Sequence, residues 1–227
     1  MNKLIVSERF YSIQGEGVTM GVPAVFLRLG GCNLLCPWCD SIEVWKKGHA
    51  TEFENVLPSD YVRRLRQGAH LIITGGEPLL HDSSIVSYLQ WFVNNYKFTP
   101  VIEVETNGTI VPSTQLLFYV QQWNCSPKLA NSGEPVSKRL NELALMTLAK
   151  RNTTCFKFVV SNEDDVLEVI NEYGSWLEPQ QFVLMPLGDS LELLNLVRQT
   201  VVELCIKYGM RYSDRLHIAT WNQKTGV

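Results

Sequence analysis

Short apolar runs alternate with helical patterns along most of this chain of 227 residues. Ala24–Leu29, His70–Thr74 and Val101–Thr106 read as strands, and so do Phe156–Val160, Phe182–Met185 and Leu216–Ala219. Each is either continuously apolar or alternates with period two. Helical patterns fill the spaces between them. Ser59 is a good N-cap for a helix over about 60–67, and Ser83 or Ser84 starts one that buries Ile85, Tyr88, Leu89 and Phe92. Ser113 or Thr114 starts another through Leu117 and Val120. Segments near 137–151, 163–173 and 189–208 follow the same logic, with Gly209 stopping the last. Strands alternating with helices predict an α/β fold with a mainly parallel sheet and functional loops at the C-terminal strand ends. A complete eightfold barrel takes about 250 residues. About six parallel strands in one domain over 1–227 therefore predict a partial, TIM-like β/α barrel.

Three stretches are irregular: 11–23, 30–57 and 126–136. The second is long for a compact domain, and long loops of this kind are functional or disordered.

Composition narrows the class. Hydrophobic residues make up 45% and charged residues 19%, which suits a globular chain and not a disordered one. The net charge of −3 argues against nucleic-acid binding through overall charge. No apolar run is long enough for a transmembrane helix, and Met1–Arg9 lacks a signal-peptide hydrophobic core. The expected location is the cytoplasm.

Six cysteines are present, and Cys32, Cys36 and Cys39 fall within eight residues of each other inside the long loop. In a reducing compartment this clustering points to metal or redox chemistry. The spacing Cys-x3-Cys-x2-Cys supplies three thiolates on one loop, whereas most [4Fe–4S] clusters take four. One iron would stay open to another ligand. A structural zinc site is the competing reading, but it wants four ligands, and His49 is the one nearby candidate for the fourth. Cys125, Cys155 and Cys205 read as small buried hydrophobes.

With Trp38 before the third cysteine, Cys32–Cys39 resembles the signature of the radical S-adenosylmethionine (SAM) superfamily. The resemblance implies a cluster held by Cys32, Cys36 and Cys39, with SAM chelating the open iron and its adenine packed near Trp38. Thr74-Gly75-Gly76-Glu77-Pro78 is similar to the superfamily's turn for the SAM ammonium group. The physics agrees, since glycines let carbonyl acceptors approach a cation closely. Standing alone, this segment reads equally as an ordinary strand-to-helix turn.

Other segments narrow the resemblance. They are Ile13-Gln14-Gly15-Glu16-Gly17, Cys39-Asp40-Ser41, Glu105-Thr106-Asn107-Gly108, Ser126-Pro127-Lys128 and the C-terminal Leu216–Val227. In this order they resemble the 7-carboxy-7-deazaguanine synthases, from about residue 5 to the last. The resemblance implies a pterin substrate, 6-carboxy-5,6,7,8-tetrahydropterin, together with SAM, a [4Fe–4S] cluster and Mg2+. A flavodoxin-type electron donor and a homodimer are implied as well.

Roles then carry over position by position. Trp38, Cys39, Asp40, Gly76, Ser126, Pro127 and Lys128 are implied SAM contacts, and Ser41 an implied Mg2+ ligand. Magnesium accepts such a hard oxygen donor, although a loop serine capping a turn is the plainer reading of Ser41. Ile13, Gln14, Gly15, Glu16 and Thr74 match substrate contacts, while Glu16 reads equally as a structural anchor for its loop. Arg28 is implied to fork onto the substrate carboxylate. Its strand alternation puts it opposite Val25, Leu27 and Leu29 and beside Phe26. Glu105 is an implied active-site carboxylate, and His217 and the carboxylate of Val227 an implied substrate closure; a histidine in a strand is otherwise often a core residue. One departure stands out, for Met185-Pro186-Leu187-Gly188 has leucine where the family often has glutamate.

Two other classes share parts of the pattern. A glycyl-radical activating enzyme has the cysteine loop and Gly-Gly-Glu turn but needs a protein-docking surface. A zinc-binding module has the thiols without the chemistry.

Overall fold

The computed structural model describes residues 2–177 and 179–227. Nine strands form one sheet in the order β3-β1-β2-β4-β5-β6-β7-β8-β9. The strands are β1 (Lys3–Ile13), β2 (Pro23–Leu29), β3 (His49–Glu52), β4 (His70–Gly75), β5 (Ile102–Thr106), β6 (Gln122–Cys125), β7 (Thr154–Val160), β8 (Phe182–Pro186) and β9 (Arg211–Tyr212). From β2 to β9 every pairing is parallel, and β1 adds antiparallel pairs to β2 and β3. The result is an open, partial β/α barrel. Five of its six longer parallel strands, β2, β4, β5, β7 and β8, are those the sequence predicts, and β6 is the sixth.

Nine α-helices accompany the sheet among the described residues: α1 (Ile42–Trp45), α2 (Ser59–Arg66), α3 (Asp82–Tyr96), α4 (Thr114–Tyr119), α5 (Val136–Arg139), α6 (Glu142–Ala149), α7 (Glu163–Tyr173), α8 (Leu191–Tyr208) and α9 (Leu216–Trp221). Side-chain caps set several starts. Ser113, Asn141, Asn162 and Ser190 each accept a backbone N–H of the first turn, satisfying donors that have no partner inside the helix. α3 buries Ile85, Tyr88, Leu89 and Phe92, as its spacing predicts.

The two faces of the sheet differ in character, and this difference positions the site. Val25, Leu27 and Leu29 of β2, Leu71 and Ile73 of β4, Ile102 and Val104 of β5, Trp123 of β6 and Phe156 and Phe158 of β7 join one apolar core. The alternate residues of the same strands carry Arg28, Thr74, Glu103, Glu105, Asn124 and Lys157 on the other face. Period two thus separates packing from chemistry.

Four expectations need correction. Leu216–Ala219 is the start of α9 and not a strand. The Leu216 N–H donates to the Gly15 carbonyl at 2.9 Å and the Asn222 N–H to the Ile218 carbonyl at 2.8 Å, which fixes a short helix on the loop after β1. The segment 137–151 splits into α5 and α6, because Asn141 caps a second helix. The loop 30–57 contains α1 and β3. Part of the irregular stretch 11–23 belongs to strands, since β1 runs to Ile13 and β2 starts at Pro23.

Candidate active site

A cavity of about 480 Å³ opens at the C-terminal ends of β2, β4, β5, β7 and β8. The three clustered cysteines line it, together with Trp38, Asp40, Ser41, Gly76, Ser126 and Lys128. Ile13, Gln14, Gly15, Glu16, Arg28, Thr74, Glu105, His217 and Val227 line it too. Of the residues to which the resemblance gives a cofactor, metal, substrate or catalytic role, Pro127 alone is not part of the lining.

The cysteine loop is built to hold a fixed shape. The Cys39 N–H donates to the Cys36 carbonyl at 3.2 Å, and the Leu34 N–H donates to Cys32 Sγ at 3.5 Å. Glu77, fully buried, ties the neighbouring elements together. It accepts from Leu79 N at 2.9 Å, Thr106 Oγ1 at 2.8 Å and Asn107 N at 2.7 Å, and its own N–H donates to the Gly31 carbonyl at 2.9 Å. Burial nevertheless keeps its carboxyl above the usual range. Gly76 packs directly on this loop, so that a Cβ there would run into Gly31 O and Cys32 Cβ. The Gly-Gly-Glu-Pro turn and the cysteine loop therefore form one unit, which an isolated strand-to-helix turn would not require.

This donor set fits an iron–sulfur cluster. Three thiols share one loop beside a cavity, and each would hold a different iron. Among the described residues no three His, Cys, Asp or Glu side chains converge on a single ion position. A structural zinc ion needs four ligands, and this loop supplies three thiols, the number that leaves one iron of a cluster open. Burial pushes the Cys32 and Cys36 thiols up, and loading metal releases their protons. Cys125, Cys155 and Cys205 are buried as expected, and burial pushes Cys155 and Cys205 up to about 11.

Beside the cysteines, Trp38 Nε1 donates to the Asn131 carbonyl at 3.0 Å, and Lys128 Nζ stands 5.4 Å from the ring centroid. Lys128 also donates to Ser126 Oγ at 3.0 Å. Ser41 occupies the N-cap position of α1, but its side chain does not cap the helix. Its Oγ lies 3.7 Å from Cys39 Sγ instead, at the cavity wall.

The opposite end of the cavity is a network of buried charge. Gln14 Nε2 donates to Glu105 Oε1 at 2.9 Å, and Gln14 Oε1 accepts from the Glu16 N–H at 3.2 Å. Lys157 Nζ bonds Glu105 Oε2 at 2.6 Å and Glu16 Oε2 at 2.9 Å. Arg215 Nε donates to Glu16 Oε1 at 3.2 Å, while its two terminal nitrogens bond Asp40 and the Gly188 carbonyl. Burial raises the Glu16 carboxyl, yet Lys157, Arg215 and His217 more than offset this and hold it well below the usual carboxylate range. Burial likewise opposes ionisation of Asp40, and Arg215 reverses the balance. For Glu105 burial wins, and its carboxyl lies above the usual range despite Lys157. Burial pulls His217 down from the ordinary imidazole range. His217 packs so closely on Gly15 that a Cβ there would collide with its ring.

Arg28 Nε donates to Glu8 Oε1 at 2.7 Å, and Nη1 makes a long bond of 3.4 Å to the Gly75 carbonyl. Among the described residues Nη2 has no acceptor, which leaves one edge of the guanidinium for a carboxylate. Phe26, next to Arg28 on this face, stacks on Phe10 at 4.7 Å between ring centroids.

Lys157 and Arg215 escape the sequence reading. Lys157 does carry a signal, being a lone cation between Phe156 and Phe158 in a strand, with a side chain only 1% exposed. Arg215 has none, because it immediately precedes a segment that reads as a strand.

Comparison with known proteins agrees with this geometry. A family model described as a 4Fe-4S single cluster domain matches residues 13–115. The 7-carboxy-7-deazaguanine synthase of Halobacterium salinarum is 35% identical over 96% of this chain and 91% of that protein. The enzyme of the same name from Pyrobaculum aerophilum is 34% identical over 97% of this chain and 96% of its own. The crystal structure of QueE from Escherichia coli superposes with a TM-score of 0.68 at 25% identity, covering 95% of each chain. Full-length likeness of this degree, with the cysteine loop and the charged cavity in the matched region, places the chain in the 7-carboxy-7-deazaguanine synthase family.

Proposed function

We propose that this chain converts 6-carboxy-5,6,7,8-tetrahydropterin into 7-carboxy-7-deazaguanine as a Mg2+-dependent radical SAM enzyme. One observation carries the reading: a single cavity holds three loop thiols at one end and a set of polar and charged side chains at the other. When bound, the cluster and SAM together supply a 5′-deoxyadenosyl radical that takes hydrogen from C6 of the pterin, ahead of ring contraction and loss of ammonia. Everything else falls to the protein: binding, orientation, water exclusion and proton control.

Cys32, Cys36 and Cys39 hold the cluster. Gly76, Asp40 and the Ser126-Pro127-Lys128 segment orient SAM, and Trp38 offers a flat apolar face to its adenine. Arg28 forks onto the substrate carboxylate through its free edge. Ile13, Gln14, Gly15 and Thr74 read the aminopyrimidone edge. Glu16, ionised between Lys157 and Arg215, keeps acceptor capacity for the ring N–H and exocyclic amine. Glu105 plays a different part: its raised carboxyl suits proton exchange with a ring nitrogen as the ring rearranges. His217 and the Val227 carboxylate close the pocket, and Ser41 offers Mg2+ a hard oxygen.

Deuterium labelling tests the reading. A substrate deuterated at C6 should pass its label to the 5′ carbon of recovered SAM, because hydrogen is removed there and then returned. Unlabelled SAM recovered after product formation would contradict the proposal.

A further inference from the structure

Two loops carry the two halves of the cavity. Cys32–Ser41 faces the thiol end, and Gln14–Gly17 faces the polar end. Among the described residues, Arg215 is the one side chain bonded to both. Its Nε holds Glu16 at 3.2 Å and one Nη holds Asp40, the neighbour of Cys39. The other Nη donates to the Gly188 carbonyl after β8, which anchors the fork to the barrel. The side chain is 9% exposed, against 38% for Asp40 and 17% for Glu16. The next residue, Leu216, bonds the Gly15 carbonyl at 2.9 Å. The arginine is thus tied to the substrate loop through both side chain and backbone.

We propose that Arg215 is a positioning residue that couples the SAM side of the cavity to the pterin side through Asp40 and Glu16. The inference rests on the substrate and cofactor reading above. A planar fork with three fixed donors orients two carboxylates at once, which a single ammonium point cannot do. A ligand that orders either carboxylate also orders the shared guanidinium. The second ligand then meets a site whose ordering cost is already met, and the two bind cooperatively. Linkage requires the effect to be reciprocal.

Equilibrium calorimetry on anaerobic, iron-reconstituted protein tests this. With no reductant present, SAM and 6-carboxy-5,6,7,8-tetrahydropterin bind without turning over. In the unsubstituted protein, SAM should tighten pterin binding by about 5- to 150-fold, and the pterin should tighten SAM binding by the same factor. In Arg215→Lys, and in Arg215→Gln should the lysine variant fold poorly, that factor should fall toward one. Arg28→Lys touches the polar end but not Asp40, so it should weaken pterin binding while keeping the factor. If the Arg215 variants lose affinity for each ligand but keep the full factor, the residue is merely structural and the inference fails. An unsubstituted protein that binds both ligands independently also overturns it. If that protein binds SAM but no pterin, the substrate reading itself falls, and the inference with it.

Discussion

Lys157 Nζ lies 2.6 Å from Glu105 Oε2 and is enclosed by the barrel at 1% side-chain exposure. A second carboxylate, Glu16, completes its shell at 2.9 Å. Breaking a buried ion pair from one side strands the partner charges, a loss of about 3–5 kcal/mol. Lys157→Met should therefore lower unfolding free energy in urea by about that amount. A change of under roughly 1 kcal/mol, the range of a surface pair, would show that the network is not electrostatically tight.

Acid stability follows from Glu16. Its folded carboxyl lies below the unfolded value of 4.5. The stabilisation it brings is therefore complete above that pH and is lost as the pH falls below it toward the folded value. Glu105 acts with the opposite sign, since burial raises its carboxyl. The stability gap between the unsubstituted protein and Glu16→Gln should be flat near neutrality and shrink below pH 4.5. Denaturant titrations across that window check it, and a gap that widens on acidification would reverse the assignment.

The proposed function divides the thiols into ligands and packing. Cys36→Ala should leave a reconstituted protein without the broad absorbance near roughly 400 nm of iron–sulfur thiolate sites. Cys125→Ala, in the apolar core beside Gly108, should keep that absorbance and the iron content. Full iron in the Cys36 variant, or none in the Cys125 variant, would contradict the ligand set.

Arg28 should matter for substrate more than for fold. Charge-assisted hydrogen bonds contribute about 1.5–3 kcal/mol, so Arg28→Ala should raise KM about 10- to 100-fold. SAM binding should change far less, because Arg28 reaches the Gly-Gly-Glu-Pro turn only through its long 3.4 Å bond to the Gly75 carbonyl. Steady-state kinetics with each ligand varied in turn separates the two effects, and equal losses for both would refute the assigned role.

Tyr88 buries a hydroxyl without a hydrogen-bond partner among the described residues. It packs against Phe53, Trp91 and Phe92. Tyr88→Phe keeps those ring contacts and removes a desolvated polar atom, which should raise stability by about 1 kcal/mol. Thermal melts check it, and a lowered Tm would mean that the hydroxyl does find an acceptor.

Much of the site was legible because its chemistry sits in local patterns. The spacing of Cys32, Cys36 and Cys39 and the alternation around Arg28 both survive in the fold unchanged. What escaped depends on tertiary contacts. Ser7, Glu8 and Arg9 interrupt the apolar alternation of β1, and a register shift between Val6 and Glu8 breaks its period. Leu216 and Ile218 are two apart and imitate a strand, whereas the helix there is fixed by Gly15, more than 200 positions earlier. Arg215 gains its meaning from Asp40 and Glu16, which no local window contains.

The central claim is tested most directly by anaerobic turnover with limiting SAM. Reconstituted protein, reductant, Mg2+ and excess 6-carboxy-5,6,7,8-tetrahydropterin are combined with a small amount of SAM. The account predicts many equivalents of 7-carboxy-7-deazaguanine per SAM, with ammonia in equal yield. SAM cleaved to 5′-deoxyadenosine with no deazaguanine formed would contradict it.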